Sequence, residues 1–495
     1  MKSGLKILFC ASEAVPFAKT GGLADVAGAL PKALSRLGHE VIAVLPRYYS
    51  IERSKLEHIP GALGVPMGPM GTLWAGIYKS VLPGSGVEVY FVDYEAFFGR
   101  AGLYADDNGF SYDDNDIRFI FFSKAAFELA RKLDFTPDII HSNDWHTALQ
   151  PALLKTGYAF DERFKDTASI LTIHNLQHQG HFSKRGVDAA EIGWERFNPH
   201  EFEAMDGMNF LKGGIANADA VTTVSRRYAA EIQGPEFGFG LDAHIRAHSH
   251  RLFGILNGVD YSEWNPSADP HIAANYDIGD MSGKLLCKRD LQERFGLPKR
   301  DEVPLVGFVG RFAEQKGIGL IAGAIEGLVH LDAQFVMLGT GEKWAEGFFG
   351  DVARRYPERF GCHVGYSEDL AHKIEAGCDL FLMPSLFEPC GLNQIYSLRY
   401  GTLPIVRATG GLDDTIENYD PATAEGNGFK FYDATHDALY HTVKWACDTY
   451  RYEPEAYKTM QKRAMEARFD WRHSAEAYED IYLWAYYAKR SARHR

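Results

Sequence analysis

The stretch Leu380-Phe-Leu-Met-Pro-Ser-Leu-Phe-Glu-Pro-Cys-Gly-Leu-Asn-Gln394 limits the folds open to this chain more than any other. Residues 380–383 form a short apolar run that Pro384 and Ser385 end, and a helical pattern follows over residues 392–400. A strand handing over to a helix within so few residues belongs to a layered α/β sheet. Glu388 then lies at the carboxyl edge of that sheet, where ligands of such folds bind. The amides of Cys390, Gly391 and Leu392 open the helix and point at whatever is bound, as an anion site or as donors to sugar hydroxyls. A loop acid capping a helix is the plainer account of an isolated glutamate.

The same layout recurs at the start of the chain. Residues 6–12 read as a buried strand, residues 24–37 as a helix ended by Gly38, and residues 40–45 as the next strand. The loop between them, Lys19-Thr-Gly-Gly-Leu-Ala-Asp25, is not Gly-x-Gly-x-x-Gly, so a dinucleotide-dependent oxidoreductase loses support. It suits a phosphate: glycines admit the backbone, a helix start supplies amides and Lys19 adds charge. A tight turn is the alternative. Two further strands end in polar residues, the first at Asp144, Trp145 and His146, the second at His174 and Asn175. His174, His178 and His181 are close in sequence, but Asn175 and Gly180 break the helix that would align the first two. Asp114-Asn-Asp116 matches the short Asp-x-Asp pattern of metal-dependent transferases, within the acidic tract 106–116. Charge clusters of this kind are usually solvated, and a solvated loop is the expectation here.

In the second half, a strand over residues 303–309 leads into Gly310-Arg-Phe-Ala-Glu-Gln-Lys-Gly317. Arg311 offers a planar fork and Lys316 a point charge, a pair suited to a diphosphate leaving group. A helix and a strand over residues 334–338 follow. Thr20-Gly-Gly-Leu-Ala-Asp25 is echoed by Thr409-Gly-Gly-Leu-Asp-Asp414 after a strand at residues 403–406. Thr409, Gly410 and Gly411 therefore join the diphosphate candidates, with two such loops facing each other across a cleft; chance likeness is the alternative. Residues 250–266 read as the interdomain connection, with Asn257 either an Asn-Gly turn or a cleft residue. The tail, residues 474–488, has helical spacing of Tyr478, Ile481, Tyr482, Leu483 and Ala485.

Composition narrows the function classes. The 495 residues carry a formal charge of -14, which argues against nucleic acid and anionic membranes as partners. The six cysteines form no Cys-x-x-Cys pair, as expected of reduced thiols. The first apolar run is short and interrupted by Glu13, so it reads as a strand rather than a signal peptide, and a cytoplasmic protein is expected.

Glu388-Pro-Cys-Gly-Leu-Asn-Gln394 resembles the donor-sugar loop of glycogen and bacterial starch synthases, and Lys19-Thr-Gly-Gly-Leu23 resembles the hallmark of the same family near its N-terminus. Gln315-Lys-Gly317, His174-Asn175 with Gln179-Gly180, and Asp114-Asn115 with Arg118-Phe119 follow in the family's order. The resemblance implies a GT-B fold: two Rossmann-like domains, residues 1–253 with 474–495 packing back on them, and residues 254–473, facing across a deep cleft. It implies a retaining transfer of glucose from ADP-glucose to the non-reducing end of an α-1,4-glucan, without cofactor or metal. Lys19 and Gly22 would face the donor diphosphate with Asp25 nearby, and His174 would lie beside the reacting sugar in a pocket shaped by Asp144. Asn257 would line the cleft, Tyr366 would approach the base, and Glu388 would hold sugar hydroxyls while Arg311 and Lys316 stabilise the leaving group. UDP-glucose as donor, or a glucan-binding protein without catalysis, are the rival readings. The chain departs from the family at Ser225-Arg226-Arg227, where Ser-Pro-Thr is usual, and at His178 and His181. Tyr396 stands where the wider retaining superfamily often has a second glutamate, so ribose contacts are not carried over from it.

Overall fold

The computed structural model describes residues 4–107 and 109–493; residues 1–3 and 494–495, at the ends of the expected first domain, and Asn108 of the acidic tract lie outside the described residues. It divides into two compact units, one of Met1–Gly258 with Trp471–Arg495, the other of Val259–Asp470.

In the first unit the strands are β1 (Lys6–Cys10), β2 (Glu40–Pro46), β3 (Glu57–Pro66), β4 (Thr72–Val81), β5 (Glu88–Asp93), β6 (Ile139–Asn143), β7 (Ala168–Ile173), β8 (His181–Ser183), β9 (Glu203–Ala204), β10 (Gly207–Asn209), β11 (Ala220–Thr223) and β12 (Leu252–Gly254). Among the described residues nine of them form one sheet in the order β12-β11-β7-β6-β1-β2-β5-β4-β3. β3 pairs antiparallel with β4 and β4 with β5, while the other neighbours are parallel. Sequence accounts for the difference. β1, β6 and β7 are buried along nearly their whole length, as in parallel strands covered on both faces. β3 and β4 mix exposed and buried residues.

The helix Gly22–Arg36 buries Leu23, Val26, Ala27, Leu30 and Leu34, the repeat of a one-sided helix. The last helix, Trp471–Arg493, packs on this same unit. Ala475, Tyr478, Ile481, Tyr482 and Ala485 are buried, and Tyr482 Oη lies 2.6 Å from Nδ1 of His141 on β6. Ser474 Oγ donates to the Leu256 carbonyl at 2.7 Å.

The second unit is a six-stranded sheet among the described residues. β13 (Leu305–Val309), β14 (Gln334–Gly339), β15 (Phe360–Val364), β16 (Leu380–Met383), β17 (Leu403–Arg407) and β18 (Phe429–Phe431) run parallel in the order β15-β14-β13-β16-β17-β18. Val306, Phe308, Val336, Leu338, Phe381 and Ile405 form its apolar centre.

Each sheet has a switch in strand order at an interior parallel pair, β1 with β6 in the first unit and β13 with β16 in the second. Chains leaving such neighbours at their carboxyl ends diverge to opposite faces and open a crevice for a ligand.

Candidate active site

In the first unit, β1 runs out into Ser12 and Glu13, and the chain returns through Lys19 to the helix at Gly22. Lys19 is half exposed, and its Nζ lies 2.7 Å from Asp25 Oδ1. Burial pushes the Asp25 carboxyl up against the pull of Lys19. Gly21 caps the helix without a side-chain bond, and a Cβ at Gly22 would meet nothing within 4 Å, so the backbone there is open to a ligand.

β6 delivers Asn143 and then Asp144, whose backbone is left-handed with φ 53°. Asp144 Oδ1 accepts from the backbone N–H of His174 at 2.7 Å and of Asn175 at 3.5 Å, tying the end of β6 to the end of β7. Burial raises the Asp144 carboxyl to about 7. His174 is buried and falls to about 3 for the same reason, so it is a neutral imidazole. Its tautomer follows from its neighbour. Asn143 Nδ2 donates to the Cys10 carbonyl at 3.0 Å, so Asn143 Oδ1 is the acceptor 2.9 Å from His174 Nε2. The proton therefore sits on Nε2, and Nδ1 keeps its lone pair for a hydroxyl donor. Asn257, 5% exposed, keeps a buried Oδ1 without a hydrogen-bond partner.

In the second unit, β13 delivers Gly310 and Arg311. Arg311 is exposed, and its Nη2 donates to Gln315 Oε1 at 3.1 Å. Lys316 ends a short turn, Glu314–Lys316, and its Nζ meets Glu388 Oε2 at 2.6 Å, while Ser385 Oγ donates to the same oxygen at 2.9 Å. Glu388 is buried. The Leu386 N–H donates to the Gln315 carbonyl at 2.8 Å, so the loops after β13 and β16 are stitched together along the backbone. Tyr366, two residues past β15, is 85% exposed and presents its ring to solvent.

Sequence placed the opening of the following helix one residue too early. The helix is Asn393–Arg399, with Leu392 as its cap and Gly391 left-handed at φ 73°. Cys390 and Gly391 therefore precede the helix, and the Leu392 carbonyl is its first acceptor, for the N–H of Ile395 and Tyr396.

The two Thr-Gly-Gly-Leu loops differ in surroundings. Gly22 is open, whereas Gly410 and Gly411 are buried beneath the Glu388 loop. A Cβ on Gly410 would sit 1.9 Å from the Glu388 carbonyl oxygen, and one on Gly411 2.0 Å from that of Cys390. Thr409 is buried with them. These glycines let one backbone lie directly on another.

The acidic tract is not a solvated loop throughout. Asp116 is 1% exposed and takes Arg185 through Nε at 2.7 Å and Nη2 at 2.9 Å, and Asp114 pairs with Arg100. The cause is position: Asn115 opens the helix Asn115–Lys132, and its side chain accepts from the buried Arg118. His181 is committed to the carbonyl of Ala204 at 2.7 Å. Among the described residues no group of three His, Cys, Asp or Glu could hold a metal ion.

Sequence reasoning missed Glu13. Its Oε2 accepts from both the N–H and, at 2.9 Å, the Oγ1 of Thr20. The signal was the same one that exposed Glu388, an acid a few residues beyond an apolar strand.

Residues 6–247 match the family model described as the starch synthase catalytic domain, and residues 290–466 the one described as glycosyl transferases group 1. Glycogen synthase 1 of Geobacter sulfurreducens is 54% identical over 480 residues, covering 97% of this chain and 96% of that protein. The glycogen synthase of Bacillus cereus is 43% identical over 483 residues, covering 97% of this chain and 99% of that protein. Among solved structures, the catalytic domain of starch synthase IV from Arabidopsis thaliana, bound to ADP and acarbose, matches with a TM-score of 0.89 at 33% identity, over 98% of this chain and 100% of that one. A sucrose-phosphate synthase from Thermosynechococcus elongatus matches with a TM-score of 0.60 at 16% identity, over 98% of this chain and 100% of that one, a likeness of fold alone.

Proposed function

This chain belongs to the glycogen and starch synthase family, a GT-B glucosyltransferase of glycogen synthesis, and from that premise we propose which donor it uses and which residues do the work. The donor is ADP-glucose, and glucose passes with retention to the non-reducing end of an α-1,4-glucan. The ADP and acarbose bound by the Arabidopsis relative support both halves of that reading. A cytoplasmic site of action fits a nucleotide-sugar donor, and among the described residues no helix is long and apolar enough to cross a membrane.

The observation that carries the site assignment is the meeting of polar residues at both switch points. At each of them hydrogen-bonded polar side chains join the loops after neighbouring strands, Asp144 to His174 in the first unit and Lys316 to Glu388 in the second. The bond that breaks joins the anomeric carbon to a diphosphate oxygen, so negative charge grows on the leaving group. Arg311 and Lys316 supply fixed positive charge to it, and Lys19 with the open backbone at Gly22 supplies a second grip; such preorganised charge is the dominant catalytic term in transfers of this type. Glu388 is bound through Oε2 to Lys316 and Ser385, which leaves Oε1 to accept from sugar hydroxyls. A carboxylate so paired is a poor nucleophile and a good orienting group. His174 presents Nδ1 as an acceptor to the same sugar, held by Asn143 and Asp144. Asn257 offers its unpartnered Oδ1 and Tyr366 its exposed ring, the latter to the base. Thr409, Gly410 and Gly411 act from beneath, by fixing the height of the Glu388–Leu392 backbone on which Cys390, Gly391 and Leu392 present their amides.

Incubation with labelled ADP-glucose or UDP-glucose and glycogen tests the donor. Label entering polymer from ADP-glucose at the higher kcat/KM is the expected result; preference for UDP-glucose would overturn the donor assignment.

A further inference from the structure

We infer that Glu13 is a positioning residue for glucosyl transfer, holding the Lys19-Thr20-Gly21-Gly22 loop through Thr20 so that Lys19 meets the donor diphosphate. The inference rests on the reading of Lys19 as a donor ligand.

The loop lies at the surface. Lys19, Thr20, Gly21 and Gly22 are all exposed, and the helix they lead into carries no side-chain cap. Glu13 is 3% exposed, directly beyond β1 at the switch point. Both hydrogen bonds its carboxylate accepts come from Thr20, one from the backbone N–H and one from Oγ1. A buried anchor thus reaches out to an exposed loop and takes hold of the residue next to the lysine.

The arrangement is unfavourable as packing alone. Burial pushes the Glu13 carboxyl up to about 7, and the carboxyls of Asp25 and Asp144 add repulsion or suffer it. Lys19, whose Nζ lies 2.7 Å from Asp25 Oδ1, pulls the Glu13 carboxyl back down, but less than burial raises it. An apolar residue would fill the same space without a charge to desolvate. What the carboxylate adds is geometry at Thr20, one residue from Lys19, and misplacement of a charged group by about 1 Å is enough to cost on the order of 100-fold in rate.

The test is a double-mutant cycle on the full chain, read as kcat/KM for ADP-glucose with melting temperature as control. Lys19→Ala is expected to lose on the order of 100-fold. Glu13→Ala is expected to lose about 10-fold or more, and in the Lys19→Ala background less than about threefold, because its effect runs through Lys19. Glu13→Gln, whose amide oxygen still accepts from the Thr20 N–H, is expected to recover most of the loss, and Thr20→Ala to lose a few-fold. If Glu13→Ala does not fold, the latter two variants decide. Full additivity with Lys19→Ala overturns the inference, as does a Thr20→Ala enzyme with wild-type kcat/KM. A Lys19→Ala enzyme with wild-type kinetics overturns instead the reading of Lys19, and the inference with it.

Discussion

Replacing Gly411 by alanine and Gly22 by alanine makes the same change in two copies of one sequence pattern, and the structure demands opposite outcomes. A methyl at Gly411 would lie 2.0 Å from the Cys390 carbonyl oxygen and 2.5 Å from its Cα, where ordinary contact begins at 3.4 Å. The Cys390 backbone must therefore retreat by about 1.4 Å. Cys390 is two residues from Glu388, whose hold on Lys316 is a single 2.6 Å contact. Overpacking of this kind costs about 1–3 kcal/mol, which for a unit of this size lowers the melting temperature by about 2–12 °C. The displaced Glu388 should reduce kcat by about 100-fold. At Gly22 nothing lies within 4 Å, so Gly22→Ala should leave the melting temperature unchanged or raise it, by up to about 1 kcal/mol of stability. Its methyl occupies the space assigned to the diphosphate, so KM for the donor should rise by about 10-fold or more. Calorimetry and initial-rate glucosyl transfer check both variants. A Gly411→Ala enzyme with wild-type melting and rate, or a Gly22→Ala enzyme with wild-type donor KM, would refute the reasoning.

Two further outcomes follow from the buried imidazoles. His174 should show the neutral Nε2–H tautomer in nitrogen-15 NMR from pH 7.5 down to pH 5. Its folded pKa of about 3 lies below the unfolded value near 6.5, so the stability it contributes is present above pH 6.5 and is lost as the unfolded chain takes up the proton below it. Protonation of His174 near pH 6.5 would contradict the assignment. Tyr482→Phe removes the hydroxyl 2.6 Å from His141 Nδ1 and leaves that nitrogen buried without a partner. It should lower stability by about 1–3 kcal/mol while leaving donor KM unchanged, and a calorimetric trace matching wild type would count against the last helix as a brace for β6.

The layered α/β architecture was legible because parallel strands must be apolar on both faces, and β1, β7, β13, β14, β16 and β17 all announce themselves as apolar runs, while β6 shows only Ile139-Ile140 before its polar end. The strand-end residues were legible for the same reason: Asp144, His174, Arg311 and Glu388 stand out where such a run stops. What sequence could not show was surroundings. Gly22 and Gly411 share a motif, yet one faces open space and the other a carbonyl, a difference made by which loop happens to lie above. Asp116 looked solvated because its partner, Arg185, is 69 residues away. Glu13 was hidden by its context, since an acid breaking an apolar run reads first as the end of a strand. The start of the helix after Glu388 was misplaced by one residue because only the backbone reveals that Gly391 turns left-handed.

The measurement that bears most directly on the account is the rate of glucose transfer from ADP-glucose to glycogen by Lys316→Ala at saturating donor, beside a melting curve. Lys316 is held only 2.6 Å from Glu388 and is assigned the growing charge of the leaving diphosphate. A fall in kcat of about 100-fold or more with the fold intact is the predicted result. A folded Lys316→Ala enzyme that transfers glucose at close to the wild-type rate would contradict the account at its centre.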